Sequence, residues 1–120
     1  MIHLIEISPE YFDLIDSDQK TVEGRKMTAK WMKLQKGDIL EFVSENRKCI
    51  RRITKINYYL PGSELDPLTK FLLKEQSQAL PNIIGLEEGK KVYLSWSTQE
   101  EINKVGFMGI HLSVLQNINL

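Results

Sequence analysis

A strand, a turn and an unusually long second strand follow one another in the middle of the sequence. Residues Ile39–Val43 read as the first strand, and Lys48–Tyr59 as the second, because it is rich in isoleucine and tyrosine. Between them, residues 44–47 read as a turn. Three further extended segments are predicted at residues 2–7, 20–25 and 107–115.

Helical signals separate these extended segments. Ser8, Pro9 and Glu10 provide an N-cap, a proline at the first helical position and an acid in the first turn. Further helices are predicted at residues 28–34, 63–76, 86–96 and 98–104. In the second of these four, Leu65, Leu68, Leu72 and Leu73 form the expected apolar stripe. The sequence therefore predicts an α+β fold: about five strands in a small closed or nearly closed sheet with helices beside it.

Composition limits the class of protein. A chain of 120 residues with 42% hydrophobic residues has the size of one domain, predicted to span residues 1–120. Its single cysteine excludes a disulfide framework within the chain. No apolar run approaches the roughly 20 residues that a membrane helix needs, and the N-terminus lacks the pattern of a secretory signal. We therefore expect a soluble, cytoplasmic domain with no membrane partner.

The charges are segregated along the chain although their sum is zero. Residues 20–55 contain eleven basic and four acidic residues and carry +7, so the remainder carries −7. If the basic segments fold onto one side, they form a face that attracts phosphates. The alternative is that the lysines only solubilise a helix face and two strands.

Ordinary catalytic and metal-binding patterns are absent. His3 and His111 have no acidic or cysteine neighbour at ligand spacing, so both read as ordinary strand side chains. Cys49 lies in a strand with no base nearby and reads as a buried structural thiol. No glycine-rich phosphate loop is present. We expect no metal and no cofactor.

The segment Lys20–Arg25 is different because it places two cations and an acid within six residues. In a regular strand Glu23 and Arg25 share one face, so they could form a fixed pair inside a polar cleft with Lys20 at its lip. Gly24 would let a ligand approach the backbone. The alternative is a surface ion pair on an exposed strand.

The order of motifs resembles the ASCH domain, a relative of the PUA domains. The resemblance rests on Asp18–Arg25, which matches the pattern G-x-K-x-x-E-x-R except at Asp18, and on residues 34–42, which read LQKGDILEF. Residues 80–82, 86–93 and 105–110 look like the short stand-alone prokaryotic members.

The resemblance implies a small PUA-like β-barrel with flanking helices and a cleft that holds Lys20, Glu23 and Arg25. It also implies RNA or a nucleotide-like small molecule as the partner. Asp18 replaces the leading glycine of the motif, so we expect it to adopt positive φ, which aspartate tolerates better than most residues. Its charge beside the cleft mouth is expected to disfavour a phosphate.

Two functions from different classes follow. In the first, the domain binds RNA: basic residues hold the backbone, and Trp31, Tyr58 or Tyr59 stacks on a base. The residues assigned to binding are Lys20, Arg25, Lys26, Lys30, Trp31, Lys33, Arg47, Lys48, Arg51, Arg52 and Tyr58.

In the second, the domain is an enzyme with Glu23 as acid or base and with Lys20 and Arg25 as electrostatic stabilisers. Similar small ASCH proteins remove the acetyl group from N4-acetylcytidine, using the motif lysine, a threonine three residues later and a distant glutamate. Lys20 matches the lysine, but Glu23 stands where the threonine would be, and no counterpart of the glutamate is evident near residues 80–82. Other members of the family are described as ribonucleases.

Overall fold

The computed structural model describes residues 1–115. Ten elements follow in the order β1 Ile2–Glu6, α1 Pro9–Asp16, β2 Val22–Lys26, α2 Ala29–Met32, β3 Ile39–Ser44, β4 Arg47–Tyr59, α3 Pro67–Ala79, α4 Leu86–Leu94, α5 Gln99–Val105 and β5 Phe107–Val114. All five predicted strands and all five predicted helices are present.

The strands form one mixed sheet in the order β1-β3-β4-β5-β2. β1 runs parallel to β3, and the other neighbours are antiparallel. The long β4 pairs with β3 through its first half and with β5 along most of its length, with an irregularity between Ile53 and Lys55. Among the described residues, β1 and β2 are the two edges of this half-barrel sheet, so the predicted α+β, PUA-like fold is confirmed.

Two clusters of buried side chains form the core. One packs α1 and α2 against β3, β4 and β5, with Phe12, Trp31 and Phe42 among its members. The other packs α3, α4 and α5 against β2 and β5, with Phe71 and Phe107 at its centre. The helices therefore bury both parts of a strongly curved sheet.

Two local sequence predictions are corrected by the structure. α3 begins at Pro67 rather than near Ser63, because Asp66 is the N-cap and accepts a hydrogen bond from the Thr69 backbone N–H (3.0 Å). The expected stripe is only half right, since Leu65 and Leu73 are exposed. No helix among the described residues is long and apolar enough to cross a membrane.

Candidate functional site

A cleft of about 320 Å³ lies where the two edges of the sheet approach one another. The end of β1 and the residue after it contribute Glu6 and Ile7, β2 contributes Glu23 and Arg25, and Lys20 lies just before β2. We call this hollow the main cleft. The residues that line it are Glu6, Ile7, Ser8, Tyr11, Lys20, Glu23, Arg25, Leu80, Tyr93 and Trp96. The structure thus brings Lys20, Glu23 and Arg25 together in one concavity.

Lys20 lies inside the protein rather than at the lip of the cleft, because the strand begins only after it, at Val22. Its ammonium donates to the carbonyl oxygens of Val22 (2.7 Å) and Ala79 (2.5 Å). It also lies 3.3 Å from Glu23 Oε1. Burial lowers the pKa of Lys20, and the neighbouring Glu23 carboxylate opposes that shift. All three protons of the ammonium therefore have an acceptor, which leaves none for a ligand.

Glu23 is a buried carboxylate held between two cations. Its Oε2 accepts hydrogen bonds from Arg25 Nε (3.0 Å) and from a terminal guanidinium nitrogen of the same residue (2.6 Å). Burial raises the pKa of Glu23, but Arg25 and Lys20 outweigh it, so the pKa lies below its ordinary value. The side chain is therefore ionised at neutral pH. Oε1 has only Lys20 as a partner among the described residues and can accept one more hydrogen bond.

Lys20, Glu23 and Arg25 form a charged triad, and Arg25 is its accessible member. Its side chain is 27% exposed, and its guanidinium stacks on the Trp31 ring at 4.3 Å. Because Lys20 and Arg25 carry two positive charges and Glu23 carries one negative charge, the triad has a net charge of +1. That excess is presented at Arg25, since Lys20 is enclosed.

Aromatic side chains form one wall of the main cleft. Trp96 is 60% exposed and meets Tyr93 and Tyr11 edge to face, with ring centroids 5.5 and 6.5 Å apart. The Tyr93 hydroxyl is buried and has no hydrogen-bond partner in the part of the chain that the structure describes. It faces Gly24, where an added Cβ would lie 2.8 Å from the hydroxyl oxygen.

Sequence reasoning missed this aromatic wall. It assigned stacking to Trp31, Tyr58 and Tyr59, but Tyr59 is buried and its hydroxyl donates to Glu75. Trp31 is also buried, with one contact to Arg25 and another to Lys30. The available signal was the position of Trp96, because a tryptophan between serines just after a helix is unusually placed for a core residue.

A second hollow of about 200 Å³ adjoins the main cleft and shares Arg25, Tyr93 and Trp96 with it. Its other lining residues are Gly24, Lys26, Trp31, Ser97 and Phe107. Lys26 is paired with Glu101 there. The two hollows therefore lie on either side of the same three side chains.

The predicted basic face is divided. Arg47 pairs with Asp13 (2.6 Å), and Lys48 lies 3.4 Å from Glu41. Arg51 is buried and donates to the Ile15 carbonyl oxygen at the end of α1 (3.0 Å), so it holds that helix on the sheet. These three cations do not line either hollow.

The other predicted binding residues lie nearer α2 and the irregular part of β4. Lys30 and Lys33 are exposed around α2, and Arg52 donates to the Gly37 carbonyl oxygen (3.0 Å). Tyr58 is 46% exposed and lines a third hollow of about 380 Å³ with Lys36 and Lys55.

Asp18 adopts φ +64°, as the motif comparison predicted. Its carboxylate lies 3.1 Å from the Arg51 guanidinium and does not line the main cleft. The expected repulsion of phosphate is therefore offset by an internal cation.

His111 is less ordinary than its sequence context indicated. Its Nε2 contacts Oε1 of the buried Glu75, and the Asn57 amide nitrogen lies 3.3 Å from the same Nε2. Tyr59 and Asn57 donate to the other oxygen. The sequence did not reveal this contact because 36 residues separate His111 from Glu75. Residues 1–115 contain no cluster of three or more His, Cys, Asp or Glu side chains that could hold a metal ion, and Cys49 is buried as expected.

Comparison with solved structures identifies the fold. The hypothetical protein PH0355 superposes with a TM-score of 0.82 at 28% identity, over 96% of this chain and 100% of its own. Protein PF0455 from Pyrococcus furiosus gives 0.77 at 27% identity, over 98% and 100%. The ASCH protein from Zymomonas mobilis gives 0.65 at 13% identity, over 96% of this chain and 68% of its own.

No family model and no curated protein matches the chain. The archaeal proteins are of the same size and are covered over their full length. The chain therefore has the fold of an ASCH domain, as the motif order predicted.

Proposed function

We propose that this domain binds RNA or a nucleotide-like ligand and places a base in the main cleft. The observation that carries the proposal is an ionised, buried carboxylate, Glu23, beside an aromatic wall formed by Tyr11, Tyr93 and Trp96. A carboxylate of this kind recognises the N–H edge of a base, as acidic side chains do with the cytosine amino group. An exposed aromatic ring provides the stacking surface that unpaired bases use.

The volume of the main cleft agrees with a small-molecule ligand. At about 320 Å³ it lies at the lower end of the range for such sites, about 300–1,000 Å³. The excess positive charge at Arg25 suits a phosphate attached to the base. Because Lys20 and Arg25 already hold Glu23 in place, its acceptor oxygen needs no rearrangement to meet a ligand.

The test is a titration of the protein with the four nucleosides and their 5′-monophosphates at low salt. Binding is measured by tryptophan fluorescence and by calorimetry. Glu23→Gln should lower affinity about tenfold or more for the bases that present an amino group, because it replaces the charged acceptor. The exposed Glu64 supplies the matched control, Glu64→Gln, which should leave affinity unchanged. Trp96→Ala should weaken the binding of every base, by about 1–3 kcal/mol. A protein that binds none of these ligands would contradict the proposal.

The catalytic alternative has weaker support in this geometry. A carboxylate with a lowered pKa is a poor acid and a weak base near neutral pH. Lys20 has no free proton or lone pair to activate a nucleophile, and among residues 1–115 Ser8 is the only aliphatic hydroxyl that lines the main cleft. Incubation with N4-acetylcytidine and with short RNAs tests this alternative: turnover abolished by Glu23→Gln would overturn a purely binding role.

A further inference from the structure

We propose that the ligand is a single-stranded oligonucleotide of at least two nucleotides, with a phosphodiester at Arg25 and the next nucleotide in the second hollow. This inference rests on the proposed function and extends it. The main cleft and the second hollow share Arg25, Tyr93 and Trp96, so these three side chains can contact an occupant of either hollow. A lone nucleoside would fill only one of the two.

The charge at the junction favours a phosphodiester there. The triad has an excess of one positive charge at Arg25, whose outer guanidinium nitrogen has no hydrogen bond in residues 1–115. A phosphodiester carries one negative charge and joins two successive nucleosides, whereas a free nucleoside carries none. Trp96 lines both hollows and is the most exposed aromatic ring of the site, so it can contact the bases on either side of that phosphate.

Further cations lie on and after α2, the helix that contributes Trp31 to the second hollow. Trp31 lines that hollow, and the Lys30 ammonium lies 5.3 Å from the centre of its ring. Lys33 and Lys36 follow α2, and Lys36 lines the third hollow with Lys55. None of these four lysines has an acidic partner in the described part of the chain, in contrast to Arg47 and Lys48. A phosphate that leaves the second hollow over Trp31 would therefore meet the Lys30 ammonium, which no acidic side chain in residues 1–115 neutralises.

The experiment compares a 5′-mononucleotide, a dinucleotide and a hexanucleotide of single-stranded RNA, with DNA of the same sequences to separate the two sources of the phosphodiester. We expect the dinucleotide to bind at least tenfold more tightly than the mononucleotide. The hexanucleotide should depend more steeply on salt, by about 0.7 in the log–log slope for each added phosphate contact. RNA and DNA that both show the increment support a site for the backbone, and an increment with RNA alone supports one that also reads the ribose.

Ser97 provides a matched pair of variants, because it lines the second hollow but not the main cleft. Ser97→Glu should reduce dinucleotide affinity to that of the mononucleotide, whereas the neutral Ser97→Gln should reduce it less. Lys30→Gln should lower the salt slope for the hexanucleotide, and Lys74→Gln, on the exposed face of α3, should not. Circular dichroism of each variant checks that the fold is retained.

The outcomes separate this inference from the proposed function. If mononucleotides and oligonucleotides bind equally well and Ser97→Glu has no effect, the extended ligand is overturned while base binding stands. If Glu23→Gln weakens the binding of ligands whose base presents an amino group and the increment from length is present in the wild-type protein, both are supported. If no nucleotide of any length binds, both fall.

Discussion

Replacing Lys20 by methionine tests whether the buried triad stabilises the fold as well as the site. The change keeps an unbranched apolar side chain out to Cε and removes the ammonium. That group now serves three acceptors: the Val22 carbonyl oxygen at 2.7 Å, the Ala79 carbonyl oxygen at 2.5 Å and Glu23 Oε1 at 3.3 Å. The first acceptor belongs to β2 and the second to the end of α3, so the variant loses a link between two elements.

The size of the expected loss in free energy of unfolding follows from the acceptor groups that stay buried after the ammonium is removed. Each lost hydrogen bond to a charged group is worth about 1.5–3 kcal/mol, and removal of one partner of a buried ion pair typically costs about 3–5 kcal/mol. These contributions overlap because Glu23 keeps Arg25 as a partner. We therefore expect Lys20→Met to lower the free energy of unfolding by about 3–5 kcal/mol, which lowers Tm by roughly 10–20 °C in a domain of this size.

Urea unfolding followed by circular dichroism measures this loss. Lys33→Met is the control, since Lys33 is exposed and should change the free energy of unfolding by less than about 0.5 kcal/mol. Adding Glu23→Gln to Lys20→Met should cost less than the sum of the two single changes, by at least about 1 kcal/mol. A Lys20→Met protein as stable as the control would refute the reasoning.

Three further predictions concern pH, packing and a helix cap. Because the pKa of Glu23 is lower in the folded than in the unfolded chain, its contribution is complete above about pH 5 and is lost as pH falls through the folded pKa; Glu23→Gln should flatten that acid loss of stability in urea titrations. Gly109→Ala should cost about 1–3 kcal/mol in thermal unfolding, because the new Cβ would lie 2.6 Å from Oε2 of the fixed Glu75; a neutral substitution would contradict that packing. Asp66→Ala should cost about 0.5–2 kcal/mol by loss of the α3 cap, and Asp66→Asn should restore most of it if capping is the cause.

The fold was predictable from the sequence because its signals are local. Strand-forming residues, Pro9 at the first turn of α1 and Gly106 with φ +94° after α5 each act within a few positions. The pairing of Glu23 with Arg25 was also predictable, since side chains two apart in a strand share a face.

The rest of the site depends on contacts between distant parts of the chain. Trp96 and Tyr11 are far apart in the sequence and meet only in the folded chain, and 36 residues separate Glu75 from His111. The depth of Lys20 depends on where β2 begins and on the Ala79 carbonyl oxygen, which is 59 residues away. The distribution of charge along the sequence was an incomplete guide to the basic surface for the same reason. The buried Arg51 donates to the Ile15 carbonyl oxygen and is not part of that surface.

The main cleft lies between β1 and β2, the two strands that end the sheet and do not pair with each other in the described chain. Within residues 1–115 no ladder of backbone hydrogen bonds joins β1 to β2, although the Lys20 backbone N–H donates to the Leu14 carbonyl oxygen beside this boundary. A ligand bound in the main cleft would contact both margins of this boundary at once and would link them non-covalently. Ligand binding would then make the boundary between β1 and β2 more rigid. The rigidity of this boundary would increase with the fraction of the protein that has ligand bound.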